Sequence, residues 1–485
     1  MNAHLHWQAP HRARSALGAC VYYAAGPLLC GMAIAAAVAF DPLLTRSLVR
    51  RLLGGWSTDA VPGMLAAAWL VAAVAGTALA VRGRDWFAER GPVYIVLLFV
   101  PTQFVGVSIG TLEPTKFGLL IVGYFITLEL LARQRELRMS QPVAILWIAI
   151  VMCAVASVVN GLVTSIANLY SICAKVVMFT LVVNVVRDRR LLEFAIKLVI
   201  GLGLFSAVFA LLQEAVFYFY KIPLTLDPNA PKYWFKETPF GTMIRASAFH
   251  PISQNLAHSL LIATAFVLFC PYRLRFKLLA FTLMASAMFF TFTGNAMIVL
   301  CGVLLIVPLV KFPHRALHYV AAVTVIGIAL YEVGLFGWVY DKLLMPLSAN
   351  SAQDRISLMQ LGIEVLERDP WIGIGLNNFS RVSPQPVHNA FLQLASEIGL
   401  VGGVLLVALM VTVGARLATA VSRETDPRCK AMGKGVLVGY IALGAHFMFE
   451  PFINSMVSWA YIGLAEATAM VLLVSYRRTQ HTRQG

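Results

Sequence analysis

The sequence predicts an all-α, polytopic membrane protein, and three observations support this fold class. Hydrophobic residues make up 59% of the 485 positions and charged residues only 13%, a composition that a soluble core does not explain. The mean hydropathy is +0.77. Apolar runs of about 17–25 residues, the length needed to cross about 30 Å of hydrocarbon, recur along the whole chain. We therefore expect one integral-membrane domain over 1–485, with roughly 12–14 transmembrane helices.

The apolar runs also predict the position of each span. The spans are expected at 16–40, 61–81, 92–110, 117–132, 142–159, 165–186, 191–217, 256–271, 275–292, 295–310, 316–338, 389–415, 433–449 and 454–475.

The basic residues predict the orientation of these spans. With the N-terminus in the cytoplasm, 24 of the 38 Lys and Arg residues fall on the cytoplasmic side, and both termini are cytoplasmic. Arg46, Arg50 and Arg51 depart from this pattern, so the first hairpin is the least regular part. The charge of +15 lies at span ends, which indicates the lipid bilayer as partner and no nucleic acid.

Two outer segments, 221–255 and 339–388, are much longer than the other outer connections and could house extracytoplasmic chemistry. The second segment predicts an amphipathic helix over 354–368, with Asp354 at its N-terminus and Pro370 beyond its end. Its apolar residues recur every three or four positions: Ile356, Met359, Ile363 and Leu366. The alternative interpretation is a surface helix without a site.

His388 is the candidate general base, because a neutral imidazole near pH 7 can take a proton from an attacking hydroxyl. It lies at the outer end of a predicted span, where substrates from water and from lipid can meet, and Asn389 could orient it. The alternative is a helix cap or a headgroup anchor.

Arg245 and Arg355 come from the two long outer segments and could together clamp a diphosphate, since a guanidinium binds phosphate oxygens with paired N–H groups. Each alone could equally be a lipid-headgroup anchor. Lys175 lies within a span, where it needs a partner such as Glu214 or another buried acid, or must reach the interface; a structural role is favoured.

Several absences narrow the function further. The sequence has no P-loop, which disfavours an ATP-driven pump, and no H-E-x-x-H or paired-histidine spacing. His250 and His258 are too isolated to indicate a metal site. No Asp-x-Asp pair is present, and the seven cysteines show no disulfide or zinc spacing. We therefore predict neither a metal nor a cofactor.

Two motifs resemble the O-antigen ligase and polymerase superfamily. One is an arginine-led helix, then Pro370-x-x-Gly373-x-Gly375, then His388-Asn389 with Glu397-x-Gly399-x-x-Gly402 at the next span. The other is Arg245, a few residues before a histidine-proline segment at a span start. The chain departs from the family at 291–295, where many relatives carry a Ser-Arg pair, and this leaves the subfamily open.

The resemblance implies a GT-C-like fold and an inverting, metal-independent glycosyl transfer on the periplasmic face of the bacterial inner membrane. The donor would be a glycan on undecaprenyl diphosphate, held by Arg245 and Arg355. The acceptor would be a glycan or the lipid A-core, activated by His388. Four further residues are candidates for supporting roles: Arg381, whose part in the site the sequence leaves open, Asn389, His250 and Glu397. Glu397 is expected to orient loop backbone or to pack rather than to accept the proton.

The family comprises O-antigen ligases, which serve lipopolysaccharide biosynthesis, and polymerases of O-antigen or exopolysaccharide units. The sequence leaves both activities open. The chain length and the missing Ser-Arg pair slightly favour a polymerase. Gly399 and Gly402 are expected to allow close helix approach.

Two rival classes make different predictions. A secondary transporter or lipid-linked-oligosaccharide flippase would place polar residues in mid-membrane cavities between symmetric halves. A structural membrane subunit would tolerate substitution of Arg245, Arg355 and His388.

Overall fold

The computed structural model describes residues 138–160, 165–221, 235–238, 241–248, 250, 252–311, 313–332, 334, 345–451 and 455–484. The first four predicted spans lie outside these residues. The described helices are α1 (Gln141–Asn160), α2 (Ser165–Val185), α3 (Arg189–Tyr220), α4 (Ser253–Phe269), α5 (Leu274–Phe290), α6 (Gly294–Lys311), α7 (Ala316–Glu332), α8 (Met345–Arg368), α9 (Ala390–Arg423), α10 (Pro427–Phe447) and α11 (Met456–Gln484).

The other ten predicted spans each coincide with a helix, namely α1–α7 and α9–α11. Three of these helical segments are long and apolar enough to cross a membrane: Arg189–Tyr220, Ala390–Arg423 and Met456–Val474. The protein is therefore an all-α membrane protein, as predicted. The number of spans in the whole chain and the orientation of the termini stay predictions.

Several helix ends follow from local chemistry that is visible in the sequence. The Asp188 carboxylate accepts hydrogen bonds from two backbone N–H groups at the start of α3, and Lys221 ends that helix in the left-handed region with φ 56°. Asp426 caps α10, whose first residue is Pro427. These caps satisfy backbone groups that a helix leaves unpaired at its ends.

Small residues bring the buried helices together. A Cβ atom on Gly439 of α10 would lie 3.0 Å from the Phe266 ring of α4, and one on Gly463 of α11 would lie 2.9 Å from the Phe179 carbonyl of α2. Such close approach is typical of helices that pack inside a membrane.

The first long outer segment contains structure that was not predicted. Residues Phe235–Thr238 (β1) pair with Gly241–Ile244 (β2) as an antiparallel hairpin. The hairpin is a small exception to the all-α prediction. Its four-residue strands are too short for a period-two pattern to stand out in the sequence. Arg245 follows directly after β2.

The second long outer segment contains the predicted helix, but its start was predicted incorrectly. Helix α8 begins at Met345, nine positions before Asp354, so that residue lies within the helix. The first two turns mix Met345, Pro346 and Leu347 with serine, asparagine and alanine and show no helical period of apolar residues, which is why the pattern did not reveal them. The helix ends at Arg368, before Pro370, as predicted.

Helix α8 has a packed face that the periodicity did not identify. Its Val365 belongs to a core cluster with Phe379 and Val387. Of the predicted stripe, Met359 packs against this cluster, whereas Ile356 and Ile363 are 50% and 46% exposed.

Helix α9 is broken at Ile398 and Gly399, and the turn that follows α8 packs into the break. Gly399 has φ 83° and ψ 164°, outside the helical region. The carbonyls of Ser396 and Glu397 there accept hydrogen bonds from the N–H groups of Ile374 and Gly375, at 3.1 and 2.9 Å. The loop thus replaces hydrogen bonds that the broken helix has lost.

This break corrects the expectation that Gly399 and Gly402 serve helix approach. A Cβ atom on Gly399 would collide with the Trp371 carbonyl of the loop, and one on Gly402 would meet the Ile398 side chain of the same helix. Both glycines therefore permit the break and the docking of the loop.

Gly399→Ala is expected to destabilise the protein, because alanine must adopt a positive φ and its Cβ meets loop backbone. Strained backbone of this kind costs about 1–3 kcal/mol. We expect a melting temperature in detergent several degrees below that of the parent. Gly302→Ala in α6 is the matched control, since a Cβ atom there meets nothing within 4 Å. Equal melting temperatures for the two variants would contradict the role assigned to Gly399.

Candidate active site

The carboxylate of Glu450 is the centre of a polar cluster at one end of the helix bundle. Its Oε1 accepts hydrogen bonds from Arg355 Nη2 and from Asn295 Nδ2, each at 3.1 Å. Its Oε2 lies 3.3 Å from His388 Nδ1. The structure therefore brings two of the three principal predicted residues onto one carboxylate.

Glu450 is held rigidly by the end of α10. The backbone N–H groups of Glu450 and Phe449 both donate to the His446 carbonyl, so the chain continues a tight turn beyond the helix. Glu450 is only 2% exposed, and at such burial an unpaired carboxylate would be very unfavourable. Arg355 and His388 supply the partners that this burial demands.

The pKa of Glu450 reflects this balance. Burial alone would raise the pKa, but the hydrogen bond from His388 and the charges of Arg355, His388 and His446 outweigh it and hold the pKa below its ordinary value. The carboxylate is therefore ionised at neutral pH, where it can accept a hydrogen from each partner.

His388 is placed by the residue that follows it. The Asn389 side-chain oxygen caps α9 by accepting from the N–H groups of Phe391 and Leu392, both at 3.0 Å. Its Nδ2 donates to the Met448 carbonyl at 3.4 Å. Asn389 therefore joins the His388 turn to the segment that carries Glu450, which agrees with the expected orienting role.

Arg245 lies at the corner between α5 and α6. Its Nε donates to the Thr291 carbonyl at 3.2 Å, and the Ala246 N–H donates to the Phe290 carbonyl at 3.0 Å. Asn295, which donates to Glu450, is the second residue of α6 and lies four residues after Thr291. The same corner thus carries Arg245 and a ligand of the Glu450 carboxylate, so the three principal residues lie at one end of the bundle.

Gln213 of α3 holds the loop that follows Arg245. Its Oε1 accepts from the N–H groups of Ser247 and Ala248 at 3.2 and 2.7 Å. His250, a predicted supporting residue, is 3% exposed in this loop, and burial lowers its pKa to about 3. The buried imidazole is therefore neutral at pH 7, and the supporting role of His250 stays a prediction.

The remaining predicted residues lie in or near the docked loop, the connection 369–389 that packs into the break of α9. Glu397 Oε2 accepts from the Asn377 N–H at 3.0 Å and its Oε1 from Gln393 Nε2 at 3.0 Å, which agrees with the expectation that it orients loop backbone. Arg381 is the exposed last residue of the 3₁₀ helix Asn378–Arg381, whose first two residues are buried. Lys175 is 6% exposed in α2, and its charge acts on Glu397.

The acidic partner of Lys175 stays a prediction. Glu214, the first candidate, makes no hydrogen bond to any residue that the structure describes. The Lys175 charge is also favourable for the Glu397 carboxylate, so Glu397 is a second candidate.

Sequence reasoning missed Glu450 and Asn295. One signal was available for Glu450, because an acidic residue in a span or at its end is costly unless it has a partner. Asn295 had been noted only for lacking the charge that many relatives carry at 291–295. Within the described ranges, no group of three or more His, Cys, Asp or Glu side chains could hold a metal ion.

Comparison with known families matches one part of the chain. The family model described as O-antigen ligase matches residues 279–407, which include Arg355, the docked loop, His388 and the break in α9. Arg245 and Glu450 lie outside the matched region. No curated protein matches the chain.

Proposed function

We propose that this membrane protein is a glycosyltransferase of the O-antigen ligase type, because the family model of that description matches residues 279–407. It moves a glycan from undecaprenyl diphosphate to an acceptor hydroxyl at the periplasmic face of the bacterial inner membrane. The observation that carries the proposal is the joint contact of Arg355 and His388 with the buried Glu450 carboxylate.

His388 acts as the general base. The Glu450 carboxylate can only accept a hydrogen, so it favours the tautomer with a proton on Nδ1 and a lone pair on Nε2. As the acceptor oxygen attacks the anomeric carbon, Nε2 takes its proton and the bond from that carbon to the diphosphate oxygen breaks. Attack opposite the leaving group inverts the anomeric centre. No metal is required in this scheme.

Arg355 binds the leaving diphosphate with donors that Glu450 does not occupy. A guanidinium has five N–H donors, and the Glu450 contact uses Nη2. Arg355 Nε is buried and makes no hydrogen bond within the part of the chain that the structure describes. A buried donor without a partner supports a ligand at this position. With Arg245, it stabilises the charge that develops on the diphosphate.

Arg355→Ala is expected to raise the KM for the lipid-linked donor about 10- to 100-fold, because hydrogen bonds to charged groups contribute about 1.5–3 kcal/mol. Arg245→Ala is expected to act in the same direction. The measurement is transfer in proteoliposomes with a synthetic polyprenyl diphosphate-linked glycan. Arg368→Ala serves as control, since Arg368 is exposed at the far end of the same helix. An unchanged donor KM in both arginine variants would refute the clamp.

The acceptor separates a polymerase from a ligase, and gene deletion distinguishes them. Loss of polymer with single repeat units remaining on the surface indicates a polymerase of O-antigen or exopolysaccharide. Long chains that remain on the carrier lipid indicate a ligase that uses lipid A-core as acceptor. Loss of neither product would count against the proposed transferase.

A further inference from the structure

A buried histidine of α4 contacts both ends of the loop that carries Glu450. This loop joins the end of α10 at Phe447 to the start of α11 at Met456. His258 Nδ1 lies 2.9 Å from His446 Nδ1 at the end of α10, and His258 Nε2 lies 3.4 Å from Ser458 Oγ at the start of α11. One imidazole therefore bridges the two stems of the loop.

The cluster is completely enclosed, with His258, His446 and Ser458 at most 1% exposed. A contact of 2.9 Å between two Nδ1 atoms requires one proton between them. If His258 donates from Nδ1, its Nε2 accepts from the Ser458 hydroxyl; in the other tautomer, Nε2–H donates to the serine oxygen. Both contacts persist in either arrangement, so the bridge tolerates either tautomer.

The bridge is connected to the candidate active site by short paths. The His446 carbonyl accepts the backbone N–H of Glu450 at 3.0 Å. The Phe447 ring stacks parallel to the His258 ring, with centroids 6.2 Å apart, and meets the Phe391 ring edge-on at 6.1 Å. Phe391 lies in the first turn of α9, two residues after Asn389. A shift of His258 would therefore displace the segment that carries His388 and the segment that carries Glu450.

We propose that His258 is a positioning residue for the transfer reaction, which it serves by fixing the Glu450 loop; this inference rests on the proposed function. His258 has no place in the clamp or in proton transfer, and within the described residues no third side chain joins the two histidines to form a metal site. Its two hydrogen bonds hold α10 and α11 at the separation that points Glu450 at Arg355 and His388.

The test is a double-mutant cycle with Glu450. His258→Phe keeps a ring against Phe447 but removes both hydrogen bonds, and we expect a kcat about tenfold lower, the effect of about one net hydrogen bond. If His258 acts through Glu450, the same substitution changes little in a Glu450→Gln background. His258→Gln retains a donor and an acceptor and is expected to recover part of the rate, which a purely steric role would not explain.

Thr264→Val is the matched control, because Thr264 is fully buried on the same helix and its hydroxyl contacts the Leu260 carbonyl of that helix and the Met284 sulfur of α5, at 2.7 and 3.5 Å, but no described residue of the Glu450 loop. It is expected to leave kcat unchanged. An equal fall in this variant, or additive losses in the cycle, would overturn the inference. Should His258→Phe fail to accumulate, Ser458→Ala removes one of the two contacts and should lower kcat several-fold.

The outcome is separable from that of the proposed function. If His388→Ala abolishes transfer while His258→Phe and Ser458→Ala retain the parent rate, the inference fails and the transferase stands. If His388→Ala retains full transfer, the proposed mechanism itself fails.

Discussion

Replacement of His388 with alanine is expected to lower the rate of glycan transfer about 10²- to 10⁴-fold, the usual contribution of a positioned general base. The physical reason is that no other group can take the acceptor proton from the same position. The Glu450 carboxylate behind His388 is held ionised by its partners, and its Oε2 is already occupied by the His388 contact. The measurement is transfer in proteoliposomes at equal membrane abundance of the two proteins.

His318→Ala is the control for this substitution, because His318 is exposed on α7. It is expected to transfer glycan at the parent rate. Full transfer by His388→Ala would remove His388 from the mechanism. If substitution of Arg245 and Arg355 were tolerated as well, a structural subunit would be the better description. Lost movement of a lipid-linked glycan across the membrane, with transfer intact, would favour the flippase alternative.

Glu450→Gln is expected to lower kcat about a hundredfold and to raise the KM for the donor, two effects that no other single residue should combine. The amide nearly preserves the volume but places an N–H₂ group where the carboxylate accepts from either Arg355 or His388. It also removes the charge that pairs with both, and breaking a buried charge contact typically costs about 3–5 kcal/mol. His388 then no longer has an acceptor that favours the tautomer with a proton on Nδ1. Arg355 loses the contact that orients its guanidinium group.

The matched control is Glu367→Gln, since Glu367 is exposed on α8. It removes the same charge and should change neither parameter. A Glu450→Gln variant with the kinetics of the parent would show that the carboxylate is not the organising group.

The dependence of stability on pH offers an independent check of the Glu450 contacts. Because the folded protein lowers the pKa of Glu450, the stability it contributes is complete above the ordinary carboxyl pKa of 4.5 and is lost as the pH falls through the lowered value. The difference in melting temperature between the parent and Glu450→Gln should therefore shrink as the pH falls below that range. A constant difference would contradict the pairing.

Local patterns in the sequence were sufficient for most of the helices and for the candidate base. Apolar runs located ten described helices because the length of a span and the need to satisfy backbone hydrogen bonds are properties of a single segment. His388 and Arg355 were recognised because they interrupt or border such segments. The start of α8 was missed because the apolar residues of its first two turns do not recur with the period of a helix.

The break in α9 shows the limit of this local reasoning. Gly399 was visible as a glycine, and a close approach of helices was the simplest explanation for it. Its actual role depends on the Trp371 carbonyl and on the loop N–H groups that replace lost helix hydrogen bonds, and these lie more than twenty residues earlier. No spacing rule within α9 could have indicated them.

By itself, the sequence determined that this protein is an α-helical membrane protein, and it singled out Arg245, Arg355 and His388 in the two long segments between its apolar helices. Only the tertiary structure decided that Glu450, 62 residues after His388, joins two of them, and that His258 bridges the stems of its loop. The physical reason is that hydrophobic length and capping act within one segment, whereas a buried charge is paired by whichever side chains the packing of distant helices brings beside it.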